Sequence, residues 1–332
     1  MTAPPDRPPA KPKVAFYWCA SCGGCDETVV DLHERLLEVS QAVDLVFWPV
    51  ALDFKRHHVE ALPDAGIDVT FLNGAIRTSE HEEMARLLRQ KSRLLVAFGA
   101  CAHLGGIPAL ANLWSGTALV DTVYRRGPST ENANGVIPRE RYEDGGRAVT
   151  LPRLLDAVRT LEQVVPVDYT LPGCPPTPEL LADAITGLLC AQPPPRGSVL
   201  APDRAVCDTC PRKDSRPEQL LLSEFKRPHE VQADEERCLL AQGLACLGAA
   251  TRGGCQSRCI AGNMPCTGCF GPTSRVRDFG AKALSGLASV LDATEAADVE
   301  RKLDALADPI GTFYRYSLAG GLAGGLSRPG KR

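Results

Sequence analysis

Aromatic side chains are scarce, at 5% of the 332 residues, which leaves no platform on which nucleic-acid bases could stack. An excess of one charge is also missing. With 37 Lys and Arg against 40 Asp and Glu, the net charge is −3, so no basic surface is offered to a phosphate backbone or an anionic membrane. No apolar run approaches the ~18 residues of a membrane span. The opening MTAPPDRPPAKPK lacks both the apolar stretch of a signal peptide and a twin-arginine pair. Residues 1–12 therefore read as a disordered lead, and the protein as cytoplasmic. No G-x-G-x-x-G follows a strand pattern, so a nucleotide fingerprint is missing. No Ser/His/Asp or paired-carboxylate grouping suggests hydrolysis.

Cysteine is what the chain has in plenty, with fourteen residues. Disulfides are rare in a reducing compartment, so this abundance points to metal. Eight of the fourteen fall between Cys207 and Cys269, as Cys207-x2-Cys210, Cys238, Cys246, Cys255-x3-Cys259 and Cys266-x2-Cys269. Eight is two sets of four, and four thiolates satisfy a cubane iron–sulfur cluster or a structural zinc.

The first ~190 residues alternate short apolar runs (14–18, 43–48, 67–72, 94–98 and 165–171) with helical patterns (26–39, 80–90, 151–161 and 178–190). In the first helical pattern Val29, Leu32, Leu36 and Leu37 share a face. Such alternation predicts an α/β fold with a flavodoxin-like parallel sheet over 13–191. Residues 114–150 break the pattern and read as an excursion. A Pro-rich linker is expected over 192–205. Beyond it, 206–310 is expected to be loop-rich with few short helices, two of them closing the domain near 279–291 and 293–306. Metal ligation replaces much of the core in such a region. Residues 311–332 read as a flexible tail.

Four more cysteines lie at the carboxyl ends of predicted strands. Cys22-Gly-Gly-Cys25 follows the first, Gly-Ala-Cys101-Ala-His103 the fourth and Pro-Gly-Cys174-Pro-Pro the fifth. In open α/β sheets these ends share one rim where ligands bind, so Cys22, Cys25, Cys101 and Cys174 are expected to form one four-thiolate site. A flavin is excluded there because cysteines occupy the rim. Cys19 offers a fifth thiol, whose C-x2-C-x2-C spacing with Cys22 and Cys25 allows it to displace one of the four. Cys190 ends an apolar helix and reads as structural. Asp26 and Glu27 read as first-turn acids, His103 as packed or donating a hydrogen bond near the rim site, His57 and His58 as a solvated turn, and His229 as surplus to the thiolates.

Taken together, the CGGC, GACA and PGCPP motifs resemble the small subunits of nickel–iron hydrogenases. Residues 224–230 (EFKRPHE) and the run from Cys238 to Pro272 resemble the cytoplasmic methyl-viologen-reducing type. That resemblance implies an electron-transfer subunit, with the Ni–Fe active site on a separate large subunit. It implies three [4Fe-4S] clusters, with a proximal one on Cys22, Cys25, Cys101 and Cys174; order along the chain then assigns Cys255, Cys259, Cys266 and Cys269 to the medial one and Cys207, Cys210, Cys238 and Cys246 to the distal one. Spacing leaves open an exchange of Cys246 with Cys255. The resemblance also implies an electron-accepting iron–sulfur or flavin partner, in the manner of a heterodisulfide-reductase subunit. Glu27 would then line the large-subunit interface and pass protons. The small subunit of a deazaflavin-reducing hydrogenase is the alternative within the class. A related complex I subunit would show tandem cysteines in place of CGGC, and a smaller NAD-linked hydrogenase subunit would lack the second cysteine region. A zinc-stabilised interaction protein is the alternative outside the class.

Overall fold

A computed structural model describes residues 11–322 apart from 294 and 307. Five strands form a sheet: β1 (Lys13–Trp18), β2 (Asp44–Phe47), β3 (Ile67–Asn73), β4 (Ser92–Phe98) and β5 (Tyr169–Leu171). All neighbours are parallel, and the spatial order is β2-β1-β3-β4-β5, the doubly wound arrangement of flavodoxin-like sheets. Alternate side chains enter opposite cores. Val14, Phe16, Val96 and Phe98 pack with the helix Pro178–Leu189 on one face. Ala15, Leu95 and Ala97 pack with Met84, Ala85 and Leu88 on the other. That second face is covered by the helix Ser79–Lys91, for which the hydroxyl of Thr78 caps the His81 amide.

Three local expectations are corrected. The helical pattern over 26–39 is two helices, α1 (Gly24–Val30) and α2 (Arg35–Ala42), separated by a turn in which His33 has a left-handed φ of 52°. The break turns Leu36 and Val39 towards the core and leaves Leu37 66% exposed. Residues 151–161 are not a helix. Leu154–Arg159 is a strand antiparallel to Ile76–Thr78, and an irregular register between them lets Leu155 and Val158, three apart, both face inward. A bulged strand can thus present a helical apolar period. The last apolar run shortens to β5, because the Leu95 amide that would continue the ladder donates to the Asp168 carboxylate at 2.9 Å.

Residues 114–150 form a true excursion, ending in a fully exposed hairpin of Arg141–Asp144 with Arg147–Thr150. The expected linker is not a free tether. The Leu200 amide donates to Thr170 O at 2.7 Å and the Thr170 amide to Ser198 O at 3.2 Å, so the segment runs beside β5.

Beyond residue 206, regular structure is short: 3-10 turns, a one-turn helix Arg258–Ala261 and the helices Phe279–Ala288, Ala296–Asp304 and Pro309–Phe313. Phe279, Ala283, Leu287 and Phe313 pack on Leu220, Leu222 and Phe225. Two buried arginines join loops distant in sequence. Arg212 donates to Asp234 O, Arg237 O, Ile260 O and Asn263 Oδ1. Arg252 donates to Ala201 O, Pro202 O, Pro272 O and Ser274 Oγ. Arginine's fixed fork of donors suits it to satisfying several carbonyls at once. The expected flexible tail is corrected for its described part. Phe313, Ser317, Leu318 and Ala319 are buried, because the apolar side chains of Phe313, Leu318 and Ala319 fill the junction between the two regions and take Ser317 in with them. Residues 1–10 of the expected lead and 323–332 of the tail lie outside the described residues.

Candidate functional site

The carboxyl ends of β1, β4 and β5 bring three cysteine loops to one rim. Helix α1 begins between Cys22 and Cys25, and the short helix Gly99–Leu104 carries Cys101. The loops are tied directly to one another. The Ala100 amide donates to Gly173 O at 2.6 Å, and Thr28 Oγ1 donates to Pro176 O at 3.1 Å. The Cys174–Pro175 peptide is cis. Two glycines let backbone lie against sulfur. At Gly99 (φ 85°) a Cβ would sit 2.4 Å from Cys25 Sγ, and at Gly106 (φ 57°) a Cβ would sit 2.4 Å from Cys101 Sγ.

The four rim thiols lie within one another's electrostatic reach. Burial pushes the Cys101 thiol up to about 12, and the neighbouring Cys174 and Cys22 add to the effect against the opposing Ile107 amide. Burial also raises Cys25 above the ordinary thiol range, helped by Cys101, Cys174, Asp26 and Cys22. Without a cation such a group resists ionisation. A bound metal centre supplies the positive charge that makes the thiolates stable.

Sequence reading missed what steadies the first loop. Asp26 is a buried carboxylate that accepts from Trp48 Nε1 at 2.8 Å and Asn73 Nδ2 at 2.7 Å. The Asn73 Oδ1 in turn accepts from Ser21 Oγ at 2.9 Å. Asp26 is therefore a first-turn acid, as expected, and also a buried structural anchor. The available signal was Asn73, a polar residue closing an apolar strand on the cysteine rim.

The second set lies in the loop region. Cys207, Cys210, Cys238 and Cys246 line one cavity with Leu239, Ile260 and Arg216. Burial pushes Cys207 up to about 12, with Cys246 and Cys210 adding and Arg216 opposing. Cys255 and Cys259 flank the start of Arg258–Ala261, and Cys266 and Cys269 lie on the loop before Phe270. Burial raises Cys269, helped in order by Cys266, Cys255, Cys174 and Cys259. It pushes Cys266 up to about 12, opposed by the Thr251 hydroxyl and reinforced by Cys246. The Cys266 amide donates to Cys246 Sγ at 3.3 Å. Cys174 and Cys269 thus join the rim group to the second, and Cys266 and Cys246 join the second to the third. Among the described residues no three His, Cys, Asp or Glu side chains gather into a shell for a single metal ion.

Several residues are not brought into these groups. Cys19 packs in the core on the opposite face of the sheet from Cys25. Cys190 is exposed at the end of Pro178–Leu189. His229 is exposed near Glu230, and His57 and His58 sit exposed on the short helix Arg56–Glu60. His103 is half-buried in a cavity with Glu162, Asp168 and Thr170. Glu27 is exposed on α1.

Residues 22–188 match a family described as NADH ubiquinone oxidoreductase, 20 Kd subunit. The iron-sulfur subunit of the F420-non-reducing hydrogenase of Archaeoglobus profundus is 40% identical over 313 residues, covering 93% of this chain and 97% of the relative. The chain belongs to the hydrogenase small-subunit family. Within it, the like-named vhu component of the F420-non-reducing hydrogenase of Methanocaldococcus jannaschii is 41% identical over 281 residues, 85% of this chain and 89% of the relative. The solved [NiFeSe]-hydrogenase of Dm. baculatum shares the fold, with a TM-score of 0.51 and 18% identity over 80% of this chain and 95% of that one. As a hydrogenase small subunit the chain is part of an oxidoreductase, and a large subunit is its partner. Small subunits of this family carry iron–sulfur clusters, and buried thiols with glycine backbone against their sulfurs are a donor set that fits them. No helix among the described residues is long and apolar enough to cross a membrane.

Proposed function

We propose that this chain relays electrons from H2 oxidation, at the Ni–Fe site of a large subunit, through three [4Fe-4S] clusters to a partner electron acceptor. The carrying observation is the grouping of the thiols: the rim cysteines on loops tied to one another, the four that line one cavity, and the Cys266 amide on Cys246 Sγ between the two loop groups, with Cys174 within electrostatic reach of Cys269. Cys22, Cys25, Cys101 and Cys174 would hold the proximal cluster. Cys255, Cys259, Cys266 and Cys269 would hold the medial one, and Cys207, Cys210, Cys238 and Cys246 the distal one. Bound clusters supply one-electron carriers. The chain's own part is to exclude water from the sulfurs and to fix the spacing of the three groups. The proximity of Cys246 to Cys238 and Cys210 supports this partition over an exchange with Cys255.

The large subunit would dock on the proximal rim. Cys22 is exposed there, and Trp18, Val30 and Ile107 expose apolar surface on the elements that carry the rim loops. Glu27, also exposed on α1, is assigned to the proton path at that interface. The electron acceptor, an iron–sulfur or flavin subunit, is assigned to the distal end. The relatives' names, F420-non-reducing, weigh against the deazaflavin-reducing alternative. Fourteen cysteines support a cytoplasmic, reducing location.

The test is metal analysis of the chain purified anaerobically with whatever accompanies it. About twelve iron per chain, three four-iron clusters, with roughly one nickel is the expected result. Zinc in place of iron would make the interaction-protein reading correct and this one wrong.

A further inference from the structure

The last described residues, 314–322, lie across the junction of the two regions and bond to both. On the sheet side, the Gly106 amide donates to Tyr316 O at 3.1 Å, the Gly320 amide to Leu104 O at 3.1 Å and Gln163 Nε2 to Ala319 O at 2.8 Å. On the other side, the Leu322 amide donates to Asp278 Oδ2 at 2.6 Å, and Asp278 also caps the helix Phe279–Ala288. Within this strap Tyr316 is the residue that touches two cysteine loops at once. Its carbonyl holds Gly106, whose backbone lies against Cys101 Sγ. Its hydroxyl meets Thr267 Oγ1 at 3.2 Å, inside the Cys266-x2-Cys269 loop.

We propose that Tyr316 is a positioning residue that clasps the Cys101 loop to the Cys266–Cys269 loop and so sets the separation of the first and second metal centres. This rests on the reading that those loops hold clusters. No bond, proton or electron is exchanged at the phenol. Its role is geometric, and it matters because electron tunnelling falls exponentially with distance. The surroundings agree with a fixed joint. A Cβ at Gly105 would meet Ala319 Cβ at 2.6 Å, and one at Gly271 would meet Leu104 Cδ1 at 2.6 Å, so the strap, the helix Gly99–Leu104 and the second loop have no slack between them. The phenol is also near enough to Cys269 and Cys174 to feel both thiols. An aromatic ring suits the place because it fills the gap with little conformational freedom of its own.

The test uses the intact complex with its large subunit. Iron content, the magnetic interaction between reduced clusters by EPR, H/D exchange at the Ni–Fe site and viologen reduction are compared for wild type, Tyr316→Ala, Tyr316→Phe and Thr267→Val. Tyr316→Ala is expected to keep its iron and its H/D exchange. It should weaken the magnetic interaction and slow viologen reduction severalfold or more, because tunnelling falls exponentially as the two loops move apart. Tyr316→Phe and Thr267→Val keep the backbone bond and lose only the hydroxyl contact, so each should show the same two changes at roughly twofold. An unchanged interaction with wild-type viologen reduction in Tyr316→Ala overturns the proposal. If that variant loses iron, the two milder ones decide, and no change in either overturns it. A wild-type complex without iron would instead remove the relay reading itself.

Discussion

Cys25, Cys101 and Cys174 sit at the ends of strands whose buried residues form two cores without help from any metal. Cys207 to Cys269 are carried by 3-10 turns and a one-turn helix, tied together by the side chains of Arg212 and Arg252. The first arrangement is a scaffold on which a site has been placed, and the sheet would hold its shape with the rim thiols free. Cys25 alone of the rim thiols joins the sheet's larger core, whereas in the second arrangement several of the thiols stand close to where a core would be. Cys266 is itself a buried member of the cluster formed by Val206, Leu239, Leu244 and Ile260, and Cys210, Cys246 and Cys255 pack against it. Rim loops can therefore be refined for a partner's surface while the sheet stays intact, whereas on the proposed reading the loop region would fold together with the clusters it holds.

The sharpest way to break this contrast is a pair of ligand substitutions. Cys174→Ser should reduce viologen reduction to background. Cys207→Ser should leave H/D exchange at the Ni–Fe site near wild type while slowing electron exit. Viologen reduction at the wild-type rate in Cys174→Ser, or loss of both activities in Cys207→Ser, would contradict the order of the groups.

Removal of iron by chelation comes next. Ligation of this kind contributes on the order of 10 kcal/mol to the fold that depends on it. Limited proteolysis of the iron-free chain should cut first beyond residue 206 and leave the sheet region resistant. Equal resistance of the two regions would remove the distinction.

Smaller effects follow from the polar ties. Arg212→Ala removes a buried guanidinium from Asp234 O, Arg237 O, Ile260 O and Asn263 Oδ1, of which the first two keep Gln242 Nε2 and the third the Asn263 amide, and should cost about 3 kcal/mol, the loss of hydrogen bonds to a charged donor. Asn73→Ala leaves Asp26 with one donor fewer and should cost about 1–3 kcal/mol. Denaturant unfolding of the assembled protein measures both. A larger loss for Asn73 than for Arg212 would mean the rim is the more fragile site.

The last effect appears only at alkaline pH and concerns the iron-free chain. Burial raises Cys101, in the region expected to stay folded without iron, from an ordinary 9.0 to about 12. The folded form therefore holds this proton more tightly than the unfolded one. The resulting stability is complete below pH 9 and is lost as pH rises from 9 towards 12. Thermal unfolding of the sheet region should show a falling midpoint across that window. A flat profile would mean the thiol is solvated without metal.

The parallel sheet was legible because the apolar runs have strand length and lie between helical periods, and the three rim loops because a strand's carboxyl end always lands on the same side of such a sheet. Residues 151–161 misled because a bulge lets residues three apart share a face, as Leu155 and Val158 do. The turn at His33 was hidden because nothing in that apolar pattern marks a left-handed residue. The tail misled because glycine-rich sequence at a chain's end has no period, while its burial depends on surfaces supplied by Leu104, Ala109 and Gln163 far away in the chain.

By itself the sequence determined the chemistry, since the number of cysteines, their short spacings and the glycines beside them limit what the chain can bind. The tertiary structure alone decided which thiols are neighbours across long gaps: Cys174 within electrostatic reach of Cys269, Cys246 Sγ against the Cys266 amide and Cys19 on the far side of the sheet. It also decided that Tyr316 spans the joint between them. The physical reason is that spacing constrains only residues a few bonds apart, whereas contacts between distant loops are set by how two packed bodies close on each other.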